Sequence, residues 1–405
     1  MGKYLGRVEG YNYIGTKDVN FDHSVNYENG VKIPYDTKLK IAHKNASLLC
    51  IEGGSAGRKI GILDEDVCFG NKLCAFENYG VNSLYLFYFL QNSDFIQIFK
   101  KNTQGIIGGI SINKIKSLPF RLPPIREQER IVKRIEDLFK QVDIIDKNQA
   151  ALNALFDALK KKTLDLAIQG KLVPQDPNDE PASELLKRIR AEKKAKLGKK
   201  YVDSYIYKGD DNCYYEKIGS EVKNITEEIP FDIPEGWGWA RLKNIVFNHG
   251  QKTPQEQFCY IDIGSIDNKH QKLNKEEFII EANNAPSRAR KIVERGDIIY
   301  AMVRPYLHNM CIIDKGFSHE TIASTGFAVM SCENIIYNYF LFYYLLSPTF
   351  DQYANSSNNA KGVAYPAIND DKLYKAIVPI PPYKEQASIV EQIYAILNAI
   401  KKNEI

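Results

Sequence analysis

Leu122-Pro123-Pro124-Ile125-Arg126-Glu127-Gln128 returns, 258 residues further along, as Ile380-Pro381-Pro382-Tyr383-Lys384-Glu385-Gln386. Each copy runs into apolar positions spaced by three and four: Ile131, Ile135, Leu138 and Val142 after the first, Ile389, Ile393, Ile396 and Ile400 after the second. The prolines stop whatever precedes them, and Glu127 or Glu385 supplies the acid that suits the first turn of a helix. The likeness continues upstream. Leu86-Phe87-Tyr88-Phe89-Leu90 parallels Leu341-Phe342-Tyr343-Tyr344-Leu345. Thr103-Gln104-Gly105-Ile106 with Ile112-Asn113 parallels Ala360-Lys361-Gly362-Val363 with Ile368-Asn369. A period of about 250 residues is far too long for a solenoid repeat. It means two similar domains, each followed by a helix. Two copies of one binding unit suit a ligand that itself has two separated sites.

Working outward, the first helix is the longer. Its apolar seam steps through Ile131, Ile135, Leu138, Val142, Ile145, Gln149, Leu152, Phe156, Leu159, Thr163 and Leu166. Gly170 is placed to end it as a C′ glycine. About 42 residues at 1.5 Å each make a rod of roughly 60 Å. A single apolar stripe of that length needs a partner helix. The expected organisation is a first domain over residues 1–122, a spacer helix over 123–170, a basic linker over 171–232, a second domain over 233–380 and a short second helix over 381–405. Strands are expected at 47–51, 59–63 and 73–76 in the first copy, and at 259–263, 297–303 and 325–329 in the second. Residues 84–100 and 337–346 read as helical. Pro181-Ala-Ser-Glu opens a short basic helix, Leu185 to Leu197, while Tyr201 to Ile229 is polar and without periodicity. The fold class is α+β: two mixed domains joined by a long coiled-coil spacer.

Bulk properties narrow the class. The chain has 405 residues, 44% hydrophobic and 11% aromatic, which fits two folded domains and not a disordered chain. Net charge is only +4, but Lys187 to Lys200 carries eight Lys or Arg against one Glu. The seven cysteines form no CxxC pair and read as free thiols in a reducing cytosol. No signal peptide and no apolar run of membrane-spanning length is present.

Catalytic signatures are missing. Gly53-Gly54-Ser55-Ala56-Gly57-Arg58-Lys59 has the flavour of a phosphate loop but the wrong spacing. There is no dinucleotide fingerprint after a strand. Ile380-Pro381-Pro382-Tyr383 mimics the amino-methyltransferase tetrapeptide, yet it opens with an apolar residue that cannot hold a target amine, and Leu122 has the same defect. No histidine pair has metal-ligand spacing, so no metal site is expected. The chain reads as a binding protein.

The combination resembles the specificity subunit of a type I restriction–modification system, whose two target-recognition domains are each followed by a helical region opening with Pro-Pro and Glu-Gln. The matching positions are Pro123-Pro124 with Glu127-Gln128, and Pro381-Pro382 with Glu385-Gln386. Gly170-Lys171-Leu172-Val173-Pro174-Gln175 is similar to the family's helix-end segment, and Pro234-Glu235-Gly236-Trp237-Gly238-Trp239 to its domain opening. The resemblance implies a bacterial or archaeal cytoplasmic subunit without catalysis of its own, reading a split site in double-stranded DNA. It implies that two helices pair as an antiparallel coiled coil that sets the gap. Two modification subunits would dock there and carry the S-adenosylmethionine chemistry of adenine methylation. Restriction subunits would bring ATP and Mg. Two departures stand out: the first copy lacks the Trp-containing opening, as if its N-terminus were shortened, and the second helix is about half as long as the first.

DNA affinity comes from cations at phosphates, specificity from Arg, Lys, Asn and Gln at base edges. In Gly-rich loops equivalent between the copies, the candidates are Lys17, Arg58, Lys59, Asn71, Lys72 and Gln104, then Lys252, Arg288, Arg290, Arg304, His308, Asn358, Asn359 and Lys361. The loops at Gly105-Gly108-Gly109 and Asn358 to Gly362 lead, because low-bulk backbone can approach a groove. The docking candidates are Ile131, Ile135, Leu138, Val142, Ile145, Leu152, Phe156 and Leu159 with Ile389, Ile393, Ile396 and Ile400. Competing readings are a coiled-coil scaffold, a truncated silent variant of such a subunit, and an autonomous nuclease, for which no carboxylate–lysine cluster is found.

Overall fold

The computed structural model describes residues 4–104, 108–332, 336–362 and 365–403. Gly105, Ile106 and Val363 of the repeat lie outside them. The chain divides into two compact units, Met1–Gln149 and Ala150–Ile405.

The first unit holds β1 (Tyr11–Ile14), β2 (Lys32–Ile33), β3 (Ile41–Ala42), β4 (Ser47–Cys50), β5 (Ile60–Ile62), β6 (Val67–Phe69) and β7 (Leu73–Phe76), then α1 (Ser83–Leu90), α2 (Ser93–Lys101), α3 (Ile112–Lys116) and the start of α4 (Ile125–Ile168). One sheet runs β2-β1-β6-β3, with β1 and β6 parallel, and a second runs β5-β4-β7. Ile14, Leu48, Val67 and Leu73 are sealed in one core, and Leu49 packs with Leu86, Leu90 and Phe99 in another. The stretch 84–100 is two helices and not one. The Asn92 side chain accepts the Asp94 amide, the local bond by which asparagine restarts a helix.

The second unit takes the end of α4, then α5 (Ala182–Leu197), β8 (Ser204–Lys208), β9 (Tyr214–Ile218), β10 (Glu221–Asn224), β11 (Gly238–Arg241), α6 (Leu242–Ile245), β12 (Phe258–Ile261), β13 (Ile266–Asp267), β14 (Lys272–Leu273), β15 (Ile279–Ile280), β16 (Ala289–Ile292), β17 (Ile298–Ala301), β18 (Met310–Ile312), β19 (Glu320–Ser324), β20 (Phe327–Met330), α7 (Asn338–Leu345), α8 (Pro348–Asn355), β21 (Ala360–Lys361), β22 (Ala367–Ile368), α9 (Asp370–Tyr374), β23 (Ile377–Ile380) and α10 (Tyr383–Asn403).

The duplication is structural. The sheet β15-β12-β19-β16, with β12 and β19 parallel, repeats the order and sense of β2-β1-β6-β3, and β18-β17-β20 repeats β5-β4-β7. Backbone bonding shifts one detail of the repeat. Ile110 N donates to Ile51 O at 3.0 Å as Ile368 N does to Met302 O at 3.0 Å, so Ile110-Ser111, and not Ile112-Asn113, matches Ile368-Asn369. Ser111 and Asn369 each cap a short helix, accepting the amides of Lys114 and Lys372. Serine and asparagine are interchangeable in that role, which hides the register in the letters.

The stretch 171–232, read as a linker, is folded. Ala182, Leu185 and Ile189 of α5 are buried in the main core of the second unit. β10-β9-β8 forms a three-stranded meander beside it. Buried Arg241 of β11 joins the meander to the unit, donating to Glu216 at 2.7 and 3.1 Å, to Glu228 at 2.8 Å and to the Lys375 carbonyl at 2.9 Å. These strands show little apolar periodicity, and what attaches them comes from distant strands: the ion pairs of Arg241 and an apolar patch in which Ile206, Tyr214 and Ile225 cluster with Trp239. α4 ends as expected: Gly170 has φ +67, Lys171 N returns to Leu166 O at 2.8 Å, and a Cβ on Gly170 would collide with Pro234.

Candidate nucleic-acid interface

The repeated motif explains itself in hydrogen bonds. Gln128 and Gln386 are 1% and 0% exposed. Gln128 accepts the Asn82 amide at 2.9 Å and donates to the Pro123 carbonyl at 2.8 Å. Gln386 accepts the Tyr337 amide at 2.8 Å and donates to the Pro381 carbonyl at 3.0 Å. One side-chain amide thus locks the start of a long helix to the N-cap of α1 or α7, which carries the aromatic core. The glutamates before them differ. Glu385 is buried and accepts Trp237 Nε1 at 2.9 Å and Gln175 Nε2 at 2.7 Å. Burial raises its pKa above the usual carboxylate value, with both bonds acting against that rise. The segments 170–175 and 234–239 therefore meet at Glu385. Glu127 is exposed and makes no side-chain hydrogen bond or ion pair among the described residues.

In the first unit the six candidates converge on the loop after β4. Gly53 N donates to Gly108 O at 2.8 Å and Gln104 pairs with Gly109, so Gly108 and Gly109 lie against that loop with Gln104 beside them. Lys72 is ion-paired with Glu52 at 3.5 Å, with Asn71 beside it. Lys59 donates to the Thr16 carbonyl at 3.0 Å, next to exposed Lys17. Arg58 and Lys59 both lie over the ring of Phe21, at 5.0 and 5.1 Å, and that ring is 56% exposed. Phe21 was missed in the sequence. An aromatic in a polar run signals nothing until two cations are seen to flank it.

In the second unit the turn between β19 and β20 gathers two groups. Thr325 N donates to Arg288 O at 2.8 Å, and Met302 N to Gly326 O at 3.0 Å. On one side are Arg288, Arg290 and Lys252, whose amide donates to Arg290 O at 2.9 Å and whose ammonium pairs with Glu320. On the other are Arg304, His308, Asn358, Asn359 and Lys361. His308 is held by both Asp351 oxygens at 2.7 and 2.8 Å, and Asn359 donates to the Tyr353 carbonyl at 2.9 Å. Lys361 and Asn358 are exposed. Arg304 and His308 both adopt left-handed backbone, at φ 52 and φ 49, which costs a non-glycine residue about 1 kcal/mol or more each.

The basic helix α5 is largely satisfied internally. Lys187 pairs with Glu184 at 2.7 Å, Arg188 with Glu180, and Lys193 is buried against the carbonyls of Lys243 and Val246. The seam divides. Ile389, Ile393 and Ile400 are buried, and Ile396 is half-buried. Ile389 and Ile393 pack with Leu164, Ala167 and Trp237 at the end of α4. Ile131, Ile135 and Phe156 are half-buried, whereas Leu138, Val142, Ile145, Leu152 and Leu159 are exposed. α10 has 21 residues against 44 in α4, in keeping with the half-length second helix read from the sequence. No group of metal-ligating side chains is found among the described residues, and no helix there is long and apolar enough to cross a membrane.

Comparison with known proteins gives this geometry a setting. Residues 5–154 and 234–405 each match the family described as Type I restriction modification DNA specificity domain. The EcoAI specificity subunit of Escherichia coli is 27% identical over 80% of this chain, and the chain spans 61% of that relative's length. The MjaVIII specificity subunit of Methanocaldococcus jannaschii is 23% identical, over 89% of this chain and 74% of its own. The crystal structure of the HsdS subunit from Thermoanaerobacter tengcongensis aligns with 43% of this chain and 45% of its own at 32% identity and a TM-score of 0.39. With both halves matched and the strand order repeated between them, the chain belongs to the type I restriction modification DNA specificity family.

Proposed function

We propose that this chain is the DNA-specificity subunit of a type I restriction–modification complex, each unit reading one half of a split target in double-stranded DNA. The observation that carries the reading is the family match occurring twice, on two units with the same strand order. Each unit supports it with a loop set rich in cations and amides. The chain catalyses nothing itself. Modification subunits supply S-adenosylmethionine and adenine methylation, and restriction subunits supply ATP- and Mg-dependent cleavage, in the cytoplasm of a bacterium or archaeon. The exposed apolar stripe of α4 favours a protein partner, and we assign it to modification-subunit docking. A spacer helix of this length suits half-sites more than one DNA turn of about 34 Å apart.

The test is to co-express the chain with its neighbouring modification subunit and map genomic methylation. A split motif with a fixed gap is expected. A stable homodimer without salt-sensitive DNA binding and without methylation would support the scaffold reading instead.

A further inference from the structure

Arg304 and Gly53 occupy one backbone position in the two units. Arg304 N donates to Pro366 O at 2.7 Å as Gly53 N donates to Gly108 O at 2.8 Å, and the next bond of the ladder is shared as well. Both have positive φ, +52 for Arg304 and +92 for Gly53. The position therefore asks for glycine, and the first unit obliges. The second unit places there a long cationic side chain that strains the backbone.

That side chain has no structural employment that would explain it. Its guanidinium carbon sits 4.2 Å from the ring centroid of Tyr365. It makes no hydrogen bond or ion pair among the described residues, and Nε is buried without a partner. Three other members of the loop set are tied down, His308 by Asp351, Asn359 by Tyr353 and Lys252 by Glu320, so each has a structural partner that the Arg304 guanidinium lacks. Tyr365 is 66% exposed and stands at the surface, with half-buried Arg304 over its ring. A guanidinium held over an aromatic ring is positioned before any ligand arrives, and with Nε buried its two terminal NH2 groups remain as the unspent donors. That is the donor geometry a guanine edge accepts at O6 and N7 in the major groove. Strained backbone held at a site of unsatisfied donors points to function and not to stability.

We propose that Arg304, held over the Tyr365 ring, reads a guanine in the half-site of the second unit, and that the first unit reads its half by other side chains because Gly53 fills this position. The inference rests on the specificity-subunit reading. The test compares wild type, Arg304→Gly and Arg304→Lys, each as the full chain with the modification subunit, by methylation mapping and by thermal unfolding. Arg304→Gly adopts the sister unit's residue. It should leave the unfolding temperature unchanged or raise it, while preference for guanine at one position of one half-site falls roughly 5- to 150-fold. The other half-site keeps its bases. Arg304→Lys keeps the charge but loses the planar fork, and it should relax the same position.

Unchanged motifs in either variant overturn the proposal. So does a lowered unfolding temperature in Arg304→Gly, which would make the side chain structural. Relaxation spread evenly over both half-sites overturns it too, since that is the signature of a phosphate contact. If the wild-type complex yields no split motif, the specificity-subunit reading fails first, and that result is distinct from a split motif that ignores residue 304.

Discussion

Replacing Gln386 by Met tests the account of the repeated motif. The substitution keeps length and volume, so packing alone should cost under about 1.5 kcal/mol. It removes one acceptor and one donor at a site 0% exposed. The Tyr337 amide and the Pro381 carbonyl, held at 2.8 and 3.0 Å, are then stranded away from water. Each buried backbone group left unpaired costs about 1–3 kcal/mol, so the sum centres near 3 to 4 kcal/mol. Both tryptophans, Trp237 and Trp239, lie in the second unit, so their fluorescence follows its unfolding. With a urea slope of about 2 kcal/mol/M, the midpoint should fall by roughly 1.5 to 2 M. Gln128→Met should act equally on the first unit, read as faster hydrogen exchange at the Asn82 amide, whose acceptor is Gln128. A midpoint shift below about 0.5 M for Gln386→Met, about 1 kcal/mol at that slope, would refute the clamp and return the motif to simple helix initiation.

Arg241→Leu leaves Glu216 buried without its cation and should destabilise the second unit by about 3–5 kcal/mol, while adding Glu216→Leu should restore most of that loss in the same fluorescence assay. Asp165 has its pKa raised, chiefly by burial, with Lys162 and Thr349 opposing. Its stability contribution is therefore full below the unfolded value of about 3.9 and lost as pH rises through the folded value, so Asp165→Asn should gain stability relative to wild type between pH 4 and pH 7. A constant difference across that range would contradict the assignment. If Lys17 and Arg58 meet phosphates, each alanine substitution should flatten the salt dependence of DNA binding by about 0.9 in log–log slope. Lys72→Ala and Lys252→Ala should change it less, because Glu52 and Glu320 already hold those ammonium groups.

Much of this protein is written along the chain. The two Pro-Pro/Glu-Gln motifs, the α1 and α7 helices and the strand β7 stand where local letters place them. Period, proline stops and glycine C-caps act over a few residues, and they act the same way in any fold. The chain also carries the duplication, because two copies of one pattern need no knowledge of packing. Other features depend on residues far apart in sequence. The 204–224 meander is anchored by Arg241 through Glu216 and Glu228, and by an apolar patch in which Ile206 and Tyr214 cluster with Trp239, partners that lie outside the segment itself. The role of Gln128 and Gln386 appears only when a helix N-cap more than 40 residues upstream arrives at their amides. Among the candidate cations, letters cannot separate Lys72, Lys252 and His308, each held by a carboxylate, from Arg304, which is not. That sorting follows from which side chains the folded backbone brings within reach, and Arg304 stands out only because its sister position is Gly53. Local propensity sets the elements, while charge pairing and desolvation across the sheets decide which of their side chains remain available to a ligand.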